Sequence, residues 1–353
     1  MDIVRKSNGF TIKQSKKLRK KIKVPLFKYI SKKTQTRIKD ENTLKRINSL
    51  RIPPAYKKVE ISTKKSSKIQ AIGEDDKGRK QYIYSKQHLE TQENVKFKDL
   101  IIFGKYVDKI RRDVSKSIKE ASQTLQKDKY KNIMDLERNS IIAIVIFLID
   151  NCHFRVGCEK YKKLYKTYGV TTLNKSHVKT NALGKLIIEF IGKKGVLNKS
   201  VVKDKNVCKL IKLLCDKSGN NYIFRYGSDK IHISERHVNG FLKSYEPKIK
   251  VKMFRTWNAN MILLSKILSY PIPETSKESK KNLGEIIEQA AFQLHHTKSV
   301  SKSSYMNNKI LDLYENDIDT FKTILRQVKK KHGGKMPQLS KILLELIIYL
   351  DKK

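Results

Sequence analysis

From Leu100 to Leu125, the apolar positions Leu100, Phe103, Val107, Ile110, Val114, Ile118, Ala121 and Leu125 return every three or four residues. That period puts them on one stripe of a long amphipathic helix. Ile141–Ile149 is then apolar at every position, and Ile133–Asn151 predicts a second helix, apolar on most sides and so central to a core. Further helical periods run over Asp204–Asp216, Ser234–Tyr245, Val251–Leu268 and Ser276–His295, with Ser234 and Ser276 as N-caps. Two more follow, roughly Asn308–Lys329 and Gln338–Leu350.

The period is different before residue 85. Arg51-Ile-Pro-Pro-Ala-Tyr56 is a Pro-stiffened extended segment, and Lys58-Val-Glu-Ile-Ser62 alternates. Gly73-Glu-Asp-Asp-Lys-Gly78 is a turn cluster before Gln81-Tyr-Ile-Tyr84, so Ile47–Tyr84 reads as short strands and turns. The polar stretch Lys86–Lys98 reads as a linker. Inside the helical part, Leu186–Ile191 and Val196–Val202 flank Gly192-Lys-Lys-Gly195, a β-hairpin with lysines at its tip. The expected fold is therefore α+β: a basic arm and β-rich N-terminal domain over residues 1–90, and a larger, mainly helical domain with a β-hairpin over residues 91–353.

Charge narrows the partner. Lys and Arg number 78 against 34 Asp and Glu, a formal net charge of +44 on 353 residues. Self-repulsion of that size suits a chain whose usual partner is a polyanion. The first forty residues carry fourteen Lys/Arg and two Asp, yet basic residues continue to Lys353, unlike a short localisation tag. A membrane is the weaker candidate, because Ile141–Ile149 is too short to cross ~30 Å of hydrocarbon and Asp150 closes it. Met1–Lys23 lacks the apolar core of a signal peptide. Cys152, Cys158, Cys208 and Cys215 are too widely spaced for CxxC pairs, which argues against structural zinc or a disulfide framework. The expectation is a soluble protein of a reducing compartment that binds nucleic acid.

Cleaving a phosphodiester without a metal needs a nucleophile, cations for the non-bridging oxygens, and an acid for the leaving oxygen. Arg supplies a permanent planar fork, Lys becomes an acid when burial among cations lowers its pKa, and Tyr attacks once cations stabilise its phenolate. Alone, each residue has a plainer reading. Tyrosine occurs sixteen times, His296 could simply end a helix, Arg155 could be a surface ion pair, and Lys193 a solvated turn residue.

Their order and neighbours make the difference. His296-Thr-Lys-Ser-Val-Ser-Lys-Ser-Ser-Tyr305 resembles the histidine-to-tyrosine segment of type IB DNA topoisomerases, especially the compact poxvirus type. Arg155-Val-Gly157 with Tyr168-Gly-Val-Thr-Thr-Leu173 resembles that family's first-arginine motif. Phe190-Ile-Gly-Lys193 resembles its lysine hairpin, and Met253-Phe-Arg-Thr-Trp257 its second-arginine helix. Arg51–Tyr56 and Gly78–Tyr84 resemble stretches of its N-terminal domain, so the similarity runs from about Ile47 to Tyr305.

The resemblance implies roles. Tyr305 would attack phosphorus, leaving a 3′-phosphotyrosyl bond and a 5′-hydroxyl. Arg155, Arg255 and His296 would hold the phosphoryl oxygens, and Lys193 would protonate the departing 5′ oxygen, with Lys194 as an adjacent competitor. Gln81, Tyr82 and Tyr84 would face the major groove with Arg79 on a phosphate, and Lys160 and Tyr161 would add contacts. Ordinary strand alternation also accounts for Tyr82 and Tyr84. Three departures from the poxvirus pattern bear on site preference: Cys158 in place of a basic residue, Lys194 in place of an acidic one, and Ser303-Ser304 before Tyr305. The resemblance places no counterpart for the basic arm before Asn42 or for the segment beyond Lys330.

The implied activity is an isomerase that relaxes supercoiled DNA as a monomer clamping the duplex, with no cofactor and no metal. In keeping with this, the sequence has no GxxxxGK[ST] loop and no compact acidic cluster. A tyrosine recombinase would share the catalytic set, though it would normally begin with a helical DNA-binding domain. A non-catalytic DNA-binding or packaging protein would share only the charge. A virus particle or a cytoplasmic viral replication site is the implied location, and the charge would also suit a nucleus.

Overall fold

The computed structural model describes residues 1–15, 20–127, 137–219, 221–227, 230–295 and 297–352. The chain divides into two compact units, Met1–Lys96 and Phe97–Lys353.

The first unit is an antiparallel sheet of β1 (Ile3–Ser15), β2 (Lys20–Ser31), β3 (Lys57–Ile61), β4 (Ile69–Glu74) and β5 (Lys80–Tyr84), in the order β2-β1-β3-β4-β5, with helix α1 (Glu41–Ser49). Ile3, Ile47, Val59, Ile61 and Ala71 form its small core. Within the basic first forty residues, β1 and β2 pair with each other and β1 joins β3 at Ile3 and Val4. Arg5 anchors this start. It is buried, donates to the carbonyls of Pro53 and Pro54 at 3.1 and 3.3 Å and to that of Tyr56, and sits 4.1 Å over the Phe27 ring. Ile47 belongs to α1 instead of opening the strand region, because Asp40 caps the helix by accepting from the Thr43 N–H at 2.7 Å.

Lys86–Lys98, within which the first unit ends and the second begins, is helical and forms the first turns of α2 (Lys86–Lys127). Its Lys, Gln and Glu residues are good helix formers, Ser85 accepts from the His88 N–H at 3.2 Å, and Lys86 pairs with Glu90 at 3.6 Å. From Phe97 onward α2 turns its apolar stripe into the large core of the second unit. Helix α3 (Arg138–Asn151) lies in that core with Ile141–Ile146, Leu148 and Ile149 all buried. Each Ile, Val or Leu among them contributes about 1.5–3 kcal/mol on leaving water. The start expected at Ile133 falls partly outside the described residues.

The rest follows as α4 (Glu159–Tyr165), β6 (Val178–Thr180), β7 (Leu186–Ile191), β8 (Leu197–Val202), α5 (Lys205–Ser218), β9 (Arg225–Tyr226), β10 (Ile231–His232), α6 (Glu235–Lys243), α7 (Lys252–Ser269), α8 (Ser276–Gln293), α9 (Lys298–Ser304), α10 (Asn308–Asn316), α11 (Ile318–Lys331) and α12 (Leu339–Asp351). The expected hairpin is β7–β8, with β6 as a third strand. Thr275, not Ser276, caps α8, accepting from the Glu278 N–H at 3.2 Å. The stretch Asn308–Lys329 is two helices, because the Asp317 carboxylate caps α11 through the Thr320 N–H at 3.1 Å. Trp257 on α7 packs over Gly104 on α2, where a Cβ would come within 2.6 Å of the indole. No helix of the described residues is long and apolar enough to cross a membrane.

Candidate active site

Tyr305 sits at the end of α9, where its N–H donates to the Ser301 carbonyl at 3.2 Å. The backbone that leaves it is fixed at two points by one buried side chain from α7. Asn260 donates from Nδ2 to the Tyr305 carbonyl at 2.9 Å and accepts the Asn307 N–H on Oδ1 at 2.8 Å. Asn307 in turn caps α10 through the Lys309 N–H at 2.9 Å. The residue that carries the phenol is therefore held by its main chain, leaving the side chain to the site.

Arg155 reaches that phenol from the loop after α3, with Nη2 3.4 Å from the Tyr305 hydroxyl. Its loop depends on two glycines. Gly157 has φ +101°, and a Cβ on Gly169 would lie 2.5 Å from the Gly157 Cα. This close approach lets the Val170 N–H donate to the Arg155 carbonyl at 2.8 Å and the Thr171 N–H to that of Val156 at 2.7 Å.

Arg255 comes from the first turn of α7, almost wholly buried, with its guanidinium 5.7 Å from the centre of the Tyr305 ring. It donates to the Leu294 carbonyl at 3.0 Å and to the carbonyl of His153. Burial, then the neighbouring Arg155 charge, lowers its pKa to about 10, which leaves it cationic at neutral pH. On Tyr305, burial opposes ionisation, but the charges and hydrogen bonds of Arg155 and Arg255 outweigh it, and its pKa falls below the usual tyrosine value. The site is built to favour negative charge on and beside the phenol oxygen.

Behind Arg255 lies a polar cluster. Arg111 on α2 donates to both carboxylate oxygens of Asp150 on α3, from Nε at 2.8 Å and Nη2 at 3.0 Å, and to Asn258 Oδ1 on α7 at 3.1 Å. Asn258 donates back to the Asp150 carboxylate at 2.9 Å and to its carbonyl at 2.8 Å. The cluster fixes the end of α3, three residues before His153 hands its carbonyl to Arg255. His153 itself has φ +55°, and burial drives its imidazole pKa down to about 4.

Lys193 lies exposed at the hairpin tip, and no hydrogen bond or ion pair among the described residues joins it to these groups. The tip is well defined nonetheless: a Cβ on Gly192 would lie 2.3 Å from Asn198 Nδ2. Lys194, equally exposed, has φ +66°. His296 lies outside the described residues. The chain on either side of it belongs to the site, through the Leu294 carbonyl on Arg255 and through Thr297, which caps α9 via the Val300 N–H at 3.3 Å.

The residues expected on DNA fall in two places. On β5, strand alternation puts Tyr82 and Tyr84 on one face, their rings stacked 6.4 Å apart, and Gln81 with Ile83 on the other. Gln81 and Arg79 share the Asp75 carboxylate, at 2.9 Å from Gln81 Nε2 and 2.7 Å from Arg79 Nε. The Arg79 hydrogen bond leads the effects that lower the Asp75 pKa to about 2. In the second unit, Lys160 and Tyr161 are exposed on α4, with Tyr161 stacked on Tyr165 at 6.0 Å.

The chain that brings this phenol to two guanidiniums resembles known proteins. A family model described as the eukaryotic DNA topoisomerase I catalytic core matches residues 77–332, and one for the bacterial DNA topoisomerase IB N-terminal domain matches residues 26–75. The chain belongs to the type IB DNA topoisomerase family. DNA topoisomerase 1B of Acanthamoeba polyphaga mimivirus is 32% identical over 307 residues, covering 84% of this chain and 86% of that protein. DNA topoisomerase 1B of vaccinia virus (strain Copenhagen) is 27% identical over 249 residues, covering 69% and 71%. DNA topoisomerase 1 of Candida albicans is 25% identical over 256 residues, which is 69% of this chain and 30% of that protein. Within this topoisomerase fold, sequence motifs pointed to the arginines and the tyrosine. They missed Asn260 and the Arg111–Asp150–Asn258 cluster, whose only signal is polar residues on otherwise apolar helix faces.

Proposed function

We propose that the chain relaxes supercoiled duplex DNA by cutting one strand, letting the duplex swivel, and resealing it. The observation that carries this reading is the Tyr305 hydroxyl 3.4 Å from Arg155, with Arg255 packed at its ring. Tyr305 Oη attacks phosphorus, the bond from phosphorus to the 5′ oxygen breaks, and a 3′-phosphotyrosyl linkage and a 5′-hydroxyl result. The phenol proton passes to water, and Lys193 delivers a proton to the leaving oxygen. Arg155, Arg255 and His296 neutralise charge growing on the non-bridging oxygens, the largest contribution a protein makes to phosphoryl transfer.

Resealing is the reverse attack by the 5′-hydroxyl. One phosphoester has replaced another, so its free energy is retained and no nucleotide is consumed. Lys193, exposed on its hairpin, closes on the scissile phosphate when DNA is bound. Tyr82, Tyr84, Arg79, Gln81, Lys160 and Tyr161 contact the duplex, which the chain clamps as a monomer. The match of the N-terminal unit to a type IB domain favours this over a recombinase or a packaging protein.

Plasmid relaxation in EDTA without ATP tests the reading, with wild type beside Tyr305→Phe. Wild type should relax the plasmid to completion, and the variant should bind duplex yet leave it supercoiled. Relaxation by the variant, or none by wild type, overturns the proposal.

A further inference from the structure

The N-terminal strands extend well beyond the sheet they start from. β1 is in register with β3 only at Ile3 and Val4, whereas β1 and β2 stay paired from Ile3↔Ser31 to Ser15↔Lys20. Outward of Lys6↔Lys28 the two strands form a ribbon with no third strand in register among the described residues, and Ser7–Ser15 spans roughly 30 Å at ~3.3 Å per residue. Between Lys6 and Lys28 the sequence has nine Lys and Arg and no Asp or Glu. Lys6 and Lys28 sit directly opposite each other, a like-charge pairing that disfavours the ribbon on its own. The outer part also precedes residue 26, where the N-terminal-domain match begins.

We infer that this ribbon is a second duplex-binding element, laid along the phosphate backbone apart from the catalytic contacts. The inference rests on the reading of the chain as a DNA enzyme. Three features point to duplex DNA as the occupant. A ribbon of this length matches about one helical turn, ~34 Å, in which the phosphates present one charge per ~1.7 Å. Eight of the nine cations are Lys, point charges suited to phosphates, and not the Arg, Asn or Gln forks that read base edges. The like-charge pair needs anions nearby, which a phosphate backbone supplies. The ribbon should therefore add affinity and retention on DNA without sequence preference.

Two variants test this. In one, residues 8–26 are replaced by Asn-Gly, which closes the hairpin just beyond Ser7↔Phe27. In the other, the seven Lys and Arg within 8–26 become Gln, which keeps the ribbon and removes its charge. Duplex affinity is measured from 50 to 200 mM salt in a Tyr305→Phe background. Each phosphate contact contributes about −0.9 to the log–log slope, so with about half of the seven cations on phosphates both variants should have slopes shallower by about 3. The affinity advantage of the intact chain should then shrink about sixtyfold across that range. With Tyr305 present, adduct formation at saturating DNA should stay within twofold of the intact chain. Unchanged slopes in the glutamine variant, a loss of cleavage rate at saturation, or ribbon-dependent binding to phosphatidylserine vesicles but not DNA would overturn the inference. Failure of the topoisomerase reading would show separately, as absent Tyr305-dependent relaxation by the intact chain.

Discussion

Asn260 and Tyr305 are joined through the main chain, with Nδ2 of the asparagine donating to the tyrosine carbonyl at 2.9 Å. Its Oδ1 takes the Asn307 N–H in the same interior, so one amide holds the chain at two points directly after the tyrosine. Asn260→Ala leaves that buried N–H without its acceptor, at about 1–3 kcal/mol. It also releases the tyrosine backbone from α7. The single-turnover rate of covalent adduct formation should fall at least tenfold, with duplex Kd within threefold. A rate equal to wild type would deny Asn260 a positioning role.

The rate should depend on pH through Tyr305. Burial holds the phenol neutral, but the two guanidiniums prevail and bring its pKa below the ordinary value. The cleavage rate at saturating DNA should therefore rise with pH and level off once Tyr305 ionises. Arg155→Ala removes a cation that favours the phenolate, so its rising limb should move to higher pH. A rising limb that stays in place would show that the arginine does not act on the nucleophile.

Asp150 pairs with Arg111 and Asn258 in a largely buried cluster. Asp150→Ala leaves the Arg111 cation with the Asp108 carboxylate at 3.5 Å and takes a partner from Asn258, a loss of about 3 kcal/mol, the lower end of what breaking a buried pair costs. For a unit of this size, a 3 kcal/mol loss corresponds to a Tm lowered by roughly 6–12 °C. Differential scanning calorimetry reads it directly. A drop under 2 °C would mean that the cluster adds little to the packing behind Arg255.

Much of this fold is legible in the sequence where the signal is local and apolar. Ile141–Ile149 announces a buried helix, and Gly192-Lys-Lys-Gly195 between two apolar runs announces a hairpin. Local polar sequence misleads where capping or pairing decides. Lys86–Lys98 is helical because i,i+4 pairs and the Ser85 cap support it, and Asn308–Lys329 breaks where the Asp317 carboxylate captures an N–H. The ribbon of β1 and β2 was hidden by its charge, since lysines do not advertise strands. At the site, Arg155 and Tyr305 carry motif neighbours that identify them 150 residues apart. Asp150, Arg111 and Asn258 carry none, and only the folded chain shows that residues separated by 39 and 147 positions share one carboxylate and one amide.

Lys193 lies exposed on the hairpin tip, and its role shows in the leaving group. Lys193→Ala should slow cleavage about 10²- to 10⁴-fold on an ordinary 5′-oxygen substrate, the usual worth of a positioned acid. A 5′-thiolate leaving group needs little protonation and should restore most of the rate. Equal slowing on both substrates would take the acid role from Lys193, and the same pair of substrates with Lys194→Ala would then test its neighbour.

The central claim is that one phenol makes and breaks the bond to DNA. Mass spectrometry of the adduct trapped on a duplex whose cut 5′ fragment dissociates tests it most directly. The peptide containing Tyr305 should carry the DNA through a 3′-phosphate, and Tyr305→Phe should give no adduct. A linkage through another residue, or to a 5′-phosphate, would contradict the mechanism.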